Sequence, residues 1–188
     1  NTDTRSRDYE ELRRKPRPSH ADYAAFVASG GFRDYRGGGH FSGRLTAPLV
    51  FAGAVAKQLL SGRGITVSAR ITRLGGVQDP TEKQIEDVIL SAKRDGDSVG
   101  GTIACAVEGM PAGLGAPDFG CNVEGIFSQH LFAVPAVKGV AFGAGFALAD
   151  MRGSEANDPF YMDEDTVRTR TNNAGGVNGG ITNGMPIT

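Results

Sequence analysis

The sequence contains little cysteine and no long apolar run. Its two cysteines, Cys105 and Cys121, form no CxxC pair and have no histidine at ligand spacing, so neither a disulfide framework nor a zinc site is predicted. We expect two reduced, buried thiols instead. The longest apolar run, residues 47–56, is far shorter than the roughly 20 residues that a membrane span requires. No membrane span is therefore expected.

The residue present in excess is glycine. It accounts for 28 of 188 residues, about 15% against a usual share of about 7%. The hydrophobic fraction of 39% and the charged fraction of 22% are those of a globular protein, so we predict one domain over residues 1–188 with an extended arm over residues 1–18. The opening residues lack an initiator Met and an apolar h-region. They are typical of mid-protein sequence without a signal peptide, and we expect a cytoplasmic protein.

The charge is unevenly distributed along the chain. Residues 1–94 contain 16 basic and 10 acidic residues, and residues 95–188 contain 4 and 11, so the halves carry +6 and −7. A basic face would steer an anionic ligand toward the protein. Alternatively, the two halves complement each other on folding or assembly.

Local patterns predict the secondary structure. Ser19, with Asp22 in the capping-box position, begins the first helix, and Asp79 caps the third, with Pro80 at its first position. The helix over residues 46–60 is dense in Ala, Leu and Val and is predicted to be buried. The expected helices are residues 19–31, 46–60, 79–96 and 122–132, and the expected strands are 65–72, 98–108 and 137–148. This mixture, without a strand–GxGxxG–helix unit, favours α+β layers over a doubly wound parallel sheet.

Three segments could carry chemistry. The glycine loop from Arg36 to Arg44 precedes a helix and offers backbone N–H groups and two guanidinium groups to an anion; a flexible linker or an RNA-binding Arg-Gly segment is the alternative. His20, in the first turn of a helix, is suited to accept a proton, or is a surface histidine. The Asn/Gly-rich segment 169–184 either clasps a flat ligand with its main chain or is a run of tight turns.

Taken in order, these segments resemble chorismate synthase. The resemblance covers nearly the whole chain, which corresponds to about the middle half of a family member. It implies a sandwich with helices packed between antiparallel sheets, here a truncated core, and usually a homotetramer. The motifs that carry it are Asn1-Thr-Asp-Thr-Arg-Ser-Arg-Asp-Tyr, Arg17-Pro-Ser-His-Ala-Asp-Tyr, Arg33-Asp-Tyr-Arg-Gly-Gly-Gly, Ser42-Gly-Arg44, Gly96-Asp-Ser-Val-Gly, Gly109-Met-Pro-Ala-Gly-Leu-Gly, Ala136-Val-Lys-Gly-Val and Thr171-Asn-Asn-Ala-Gly-Gly-Val-Asn-Gly-Gly.

The resemblance also implies an activity. The substrate would be 5-enolpyruvylshikimate 3-phosphate, which loses phosphate and a ring hydrogen in an anti-1,4-elimination that gives chorismate, the last common step toward the aromatic compounds. Reduced FMN would be required without net redox change, and NADPH is a candidate reductant. We expect no nucleic-acid partner, no membrane and no metal.

Functional residues follow from the resemblance position by position. His20 matches the second catalytic histidine of the family, and Ser42, Gly43 and Arg44 match its substrate loop. His40 stands where Arg is commoner, Gly43 where Ala is commoner, and Pro135 where Asn is frequent. The positions implied around the flavin are Arg17, His40, Phe41, Ser42, Pro135, Ala136, Asn172 and Gly179.

Three functions are therefore compared. The first is a chorismate synthase core that is catalytic in its full-length form. The second is a folded, non-catalytic fragment of that enzyme that retains at most FMN binding or oligomerisation. The third is nucleic-acid binding through residues 13–17 and the glycine loop. The balanced net charge of −1 disfavours the third.

Overall fold

The structure, a computed structural model, describes residues 9–188. Within that range the mixed α+β class is confirmed, and every strand pairing is antiparallel. The helices are α1 (Asp22–Ala28), α2 (Thr46–Ser61), α3 (Glu82–Arg94), α4 (Val123–Phe132) and α5 (Gly153–Ala156). The strands are β1 (Thr66–Leu74), β2 (Val77–Gln78), β3 (Gly101–Glu108), β4 (Phe160–Asp163), β5 (Thr166–Thr169), β6 (Val177–Asn178) and β7 (Ile181–Thr182). No helix of the described range is long and apolar enough to cross a membrane.

The largest sheet has three strands in the order β2-β1-β3. Its central strand β1 carries the predicted alternation, and β1 turns into β2 through Gly75 and Gly76, whose φ angles are 55° and 91°. Positive φ at both central residues is what a two-residue type I′ hairpin requires. The amphipathic helix α3 then connects β2 to β3. The helices predicted over 46–60, 79–96 and 122–132 and the strands over 65–72 and 98–108 are confirmed.

The start of α3 differs from the prediction. Thr81, not Asp79, is the N-cap: its hydroxyl accepts from the Gln84 backbone N–H at 3.3 Å, and its own N–H donates to the Gln84 side chain at 2.9 Å. This reciprocal pair satisfies two otherwise unpaired N–H groups, so it determines where the helix begins. Asp79 has a φ of 42° and instead pairs with Arg70 at 2.8 Å.

The strand predicted over residues 137–148 is wrong. This segment is irregular and ends in the 3₁₀ helix Gly145–Asp150. Gly143 and Gly145 have φ angles of 56° and 54°, which a strand does not tolerate. A Cβ at Gly143 would also collide with the backbone of Asn173. The segment is therefore shaped by a close backbone approach and not by strand pairing.

Two burial predictions are also wrong. Helix α2 forms as expected, but Leu49, Val50 and Phe51 expose 57%, 71% and 75% of their surface. Cys105 and Cys121 are free, as expected, yet exposed. The described residues thus leave apolar side chains that they do not bury among themselves.

The described core is small and lies beside the Asn/Gly-rich segment. Val123, Val177 and Ile187 are its buried members. In the same region β6 and β7 form a hairpin through Gly179 and Gly180, with φ angles of 60° and 81°, again the type I′ form. The Asn/Gly-rich segment is therefore packed into the interior.

The chain divides into two compact units. One unit extends to Ala54 and includes Ala133–Val137, and the other contains Val55–Phe132 with Lys138–Thr188. Part of the predicted extended arm, residues 1–8, lies outside the described residues. Within the remainder of that arm, Glu11–Arg13 form a 3₁₀ helix.

Candidate functional site

The candidate histidine lies in a turn that precedes α1. The His20 N–H donates to the Arg17 carbonyl at 3.3 Å, with Pro18 second in the turn and Ser19 third. Ser19 has a φ of 56°, so the turn has the proline and the left-handed residue of a type II turn. Ser19 is thus a turn residue and not the helix cap, and α1 begins at Asp22 without a side-chain cap.

The capping box predicted for Asp22 does not form. Asp22 is instead the centre of an ion cluster. Its carboxylate accepts from Arg17 Nε at 2.8 Å, from Arg17 Nη2 at 3.1 Å and from the Arg17 backbone N–H at 3.0 Å. Arg33 Nη1 lies 3.2 Å away, and His20 Nδ1 lies 3.0 Å from the same Oδ1 atom. Asp22 is only 3% exposed. A buried carboxylate with this many donors is rigidly held.

The electrostatics of the cluster follow from these contacts. The hydrogen bond from Arg17 holds the pKa of Asp22 far below its usual range, against the opposing effect of burial. The same bond raises the pKa of Arg17. Asp22 is therefore ionised at neutral pH, and the imidazole of His20 lies beside a permanent carboxylate.

The glycine loop is attached to this cluster. Arg17 Nη2 donates to the carbonyl of Gly37 at 3.4 Å. A Cβ at Gly38 would lie 2.9 Å from Ser42 Cα, so the loop closes on itself only because Gly38 has no side chain. The 3₁₀ helix Gly39–Phe41 follows, with His40 exposed and Phe41 exposed by 54%.

Ser42 ends this loop and orients the next turn. Its hydroxyl accepts from the backbone N–H of Arg44 at 3.3 Å and caps the 3₁₀ helix Gly43–Leu45. The Arg44 side chain is exposed and forms no ion pair with any residue of the described range. Arg36, by contrast, donates to Asp34 at 2.9 and 3.1 Å. Of the two cations predicted for this loop, Arg44 is the one available to a ligand.

Pro135 and Ala136 form a second turn of the same kind in the same compact unit. The Val137 N–H donates to the Val134 carbonyl at 3.3 Å, and Ala136 has a φ of 69°. Proline again stands second and a left-handed residue that is not glycine stands third. Such backbone costs about 1–3 kcal/mol and clusters at functional sites.

Asn172 and Gly179 belong to the other unit. The Asn172 amide donates to the Pro186 carbonyl at 2.9 Å and accepts from the Gly176 N–H at 2.9 Å, so its side chain is engaged within the unit. Gly179 lies in the β6–β7 turn, where a Cβ would meet nothing within 4 Å.

Sequence reasoning missed three polar residues that organise these segments. Asp22 was assigned to a helix cap, and Arg33 was only part of a motif. Asp158 was not singled out, yet its carboxylate accepts from the Thr171 hydroxyl at 2.6 Å and from the N–H groups of Asn173 and Ala174 at 2.8 Å each. The only signal in the sequence was the placement of Asp22 two residues after His20.

No group of His, Cys, Asp or Glu within the described range is arranged to hold a metal ion.

The fold and the site define an α+β protein with antiparallel sheets, in which one compact unit presents a histidine on a buried carboxylate and an exposed arginine. The sequence matches one protein family. The profile of the chorismate synthase family matches residues 1–188. The chain belongs to the chorismate synthase family.

Individual relatives agree with this assignment. The chorismate synthase of Chitinophaga pinensis is 53% identical over 187 residues, covering 100% of this chain and 54% of the relative. That of Thermococcus gammatolerans is 49% identical over 207 residues, covering 100% and 58%. A chorismate synthase crystal structure superposes with a TM-score of 0.78 at 27% identity, covering 88% of this chain and 60% of that one. The chain thus spans a little over half the length of the relatives that it matches.

Proposed function

We propose that this chain is the central part of a chorismate synthase. The reaction is the 1,4-elimination of phosphate and a ring proton from 5-enolpyruvylshikimate 3-phosphate, giving chorismate. The observation that carries this proposal is the match of the family profile to the whole chain. The geometry of His20 and Arg44 supports it, because the reaction needs a proton-transfer group and a cation for an anionic substrate.

His20 is proposed to transfer a proton. Its ring is 27% exposed and approaches Asp22 through Nδ1, so the Nε2 edge is the part of the ring not engaged by that carboxylate. An imidazole that exchanges a proton near neutral pH contributes roughly 10²- to 10⁴-fold to a rate.

The residues present fit reduced FMN by their chemistry. The flavin ring is flat and largely apolar, and its phosphate is anionic; the glycine loop offers the exposed ring of Phe41 and two polar side chains beside it, His40 and Ser42. Bound there, reduced FMN would supply electron-transfer chemistry for loss of the allylic phosphate without net redox change. The residues of the unit that contains this loop proposed to hold it are Arg17, His40, Phe41, Ser42, Pro135 and Ala136. Asn172 and Gly179, in the other unit, are proposed as flavin-side positions from the resemblance alone.

Arg44 is proposed to bind an anionic group of the substrate, with Ser42 and Gly43 forming the adjoining wall. Its guanidinium has no competing carboxylate among the described residues, so no internal ion pair has to break before a phosphate or carboxylate binds. Because guanidinium groups bind such oxyanions through two parallel hydrogen bonds, Arg44 would orient the substrate as well as attract it.

The assembly is a further part of the proposal. We propose that the whole protein adopts the family sandwich, with helices between antiparallel sheets, and forms a homo-oligomer, a tetramer by resemblance. The exposed apolar side chains of α2 support this, since Leu49, Val50 and Phe51 need a covering surface in water. Whether NADPH or another reductant supplies the electrons for FMN does not alter the roles proposed above.

A non-catalytic fragment is the second candidate function. It is favoured by the 54–58% coverage of the relatives. Such a chain would fold and associate but lack part of the catalytic site.

One pair of assays separates the two. The first tests the 188-residue chain itself, anaerobically, with reduced FMN and 5-enolpyruvylshikimate 3-phosphate, following chorismate absorbance and checking the fold by circular dichroism. The second tests a chimera in which these residues replace the matching part of the Chitinophaga pinensis enzyme. An active chimera with a silent, folded chain supports the proposal for the full-length protein. A chimera that folds and binds FMN but makes no chorismate would refute it and favour the fragment.

A further inference from the structure

The carboxylate of Asp22 has a second role besides neutralising arginines. It is 3% exposed, lies outside the helix-cap role expected of it, and contacts the one histidine to which we assign proton transfer. A buried carboxylate against an imidazole is the arrangement that fixes which ring nitrogen carries the proton. The inference rests on the proposed function and specifies how it is achieved.

Two neighbours of Nδ1, Asp22 and Arg17, favour opposite tautomers of His20. Arg17 Nη2 carries two hydrogens, and three acceptors lie near it: Asp22 Oδ1 at 3.1 Å, the Gly37 carbonyl at 3.4 Å and His20 Nδ1 at 3.3 Å. The contact with Nδ1 is a hydrogen bond only in the tautomer that carries no proton there; in the other tautomer the two oxygens take both hydrogens of Nη2. Asp22 Oδ1 lies 3.0 Å from Nδ1 in an ion-pair contact, and an unprotonated Nδ1 would set its lone pair against the carboxylate there, so this contact favours a proton on that nitrogen.

We infer that Asp22 is a positioning residue for His20: it holds the imidazole with its proton on Nδ1 and leaves Nε2 as the atom that exchanges a proton with the ligand. Arg17 and Arg33 fix the carboxylate in turn, because they donate to it from two directions. Free imidazole side chains in water favour the opposite tautomer, so the effect is measurable.

The first test uses the 188-residue chain and does not depend on activity. Ring-¹⁵N-labelled chain is examined by two-bond ¹H–¹⁵N correlation over a pH series, the tautomer is read where the ring signals stop changing at high pH, and the His20 signals are assigned from their loss in His20→Gln. The expected result is a proton on Nδ1. A proton on Nε2 in the unsubstituted chain overturns the inference without any variant having to fold.

The second test uses Asp22→Asn. Arg17 donates to Oδ2 at 2.8 and 3.0 Å, and Arg17 and Arg33 donate to Oδ1 at 3.1 and 3.2 Å. Of the groups around the carboxylate only the imidazole, beside Oδ1, can accept a hydrogen bond from an amide NH₂, so the NH₂ is expected on that side. His20 should then move its proton to Nε2. Asp79→Asn makes the same chemical change at an exposed ion pair with Arg70 and should leave the tautomer of His20 unchanged.

Activity in the chimera completes the test. Asp22→Asn should lower kcat on the order of 10²-fold with little change in KM, since Asp22 is 3% exposed and presents almost no surface to a ligand. An unchanged kcat in a folded Asp22→Asn chimera overturns the positioning role. If His20→Gln itself leaves kcat unchanged, the proposed role of His20 fails instead, whatever tautomer the NMR experiment finds.

Discussion

The Thr171 hydroxyl donates a 2.6 Å hydrogen bond to the carboxylate of Asp158. The same carboxylate accepts from the backbone N–H groups of Asn173 and Ala174. Burial raises the pKa of Asp158, but these three hydrogen bonds outweigh it and lower the pKa overall. One side chain therefore organises the turn that leads into the Asn/Gly-rich segment.

Replacing Asp158 should destabilise this turn. Asp158→Ala leaves two backbone N–H groups without their acceptor and should cost about 1–3 kcal/mol in free energy of unfolding, measured by urea denaturation. Asp163→Ala is the matched control, because Asp163 is exposed and its carboxylate pairs with Arg168 at 3.1 Å. Equal losses in the two variants would contradict the anchoring role of Asp158.

The buried ion cluster should make the free energy of unfolding fall steeply at acid pH. The folded-state pKa of Asp22 is lowered below the unfolded value of about 3.9. Its ionised form therefore stabilises the folded chain above that pH, and the stabilisation is lost as the pH falls through the folded-state pKa. Asp22→Asn should cost roughly 3–5 kcal/mol at pH 7 and flatten the pH dependence of unfolding below pH ~4. Chemical denaturation across this range, with Asp79→Asn as control, measures both; an unaltered fall at acid pH in Asp22→Asn would contradict the prediction.

His20→Ala in the chimera should slow turnover roughly 10²-fold or more while FMN binding persists. The reason is the loss of the proposed proton-transfer group without removal of any flavin contact assigned above. Flavin fluorescence titration measures binding and chorismate absorbance measures turnover. The third histidine offers a control: His130, in α4 of the other unit, should tolerate His130→Ala. Unchanged turnover in His20→Ala would remove this residue from the reaction.

Arg44→Ala should weaken substrate binding more than flavin binding. Its guanidinium is exposed and unpaired within the described chain, whereas that of Arg36 is occupied by Asp34. Removing Arg44 should raise KM for the substrate about tenfold or more, as the loss of a charge-assisted hydrogen bond implies. Arg36→Ala is the control that removes the same charge from the same loop. Equal effects on flavin and substrate, or equal effects of both variants, would make Arg44 structural.

Gly38→Ala should displace the substrate loop. The added Cβ would lie 2.9 Å from both Cα and Cβ of Ser42, so the turn capped by Ser42 must shift. We expect a higher KM for the substrate in the chimera with the overall fold retained by circular dichroism. Gly53→Ala is the control, because a Cβ there meets nothing within 4 Å. An unchanged KM in Gly38→Ala would show that the loop tolerates a wider turn.

Short-range patterns in the sequence determined much of the secondary structure. The alternation in β1 and the i, i+3, i+4 spacing in α3 fix local torsions, and these need no distant partner to be recognised. The end of α1 was also predictable: the N–H groups of Gly30 and Gly31 donate to Val27 and Phe26 at 3.1 and 2.8 Å, the Schellman pattern that paired glycines favour. Motif order alone identified the family and nominated His20 and Arg44.

Only the tertiary structure decided which charges meet. Arg33 reaches Asp22 across 11 residues and Asp158 reaches Thr171 across 13, and no local periodicity encodes such pairings. The irregular segment around Gly143 was mistaken for a strand because its hydrophobic pattern is compatible with one, and what excludes a strand is the backbone of Asn173 lying against it. Local sequence determines backbone torsion angles. Ion pairs and close backbone approaches form only once folding brings distant segments together.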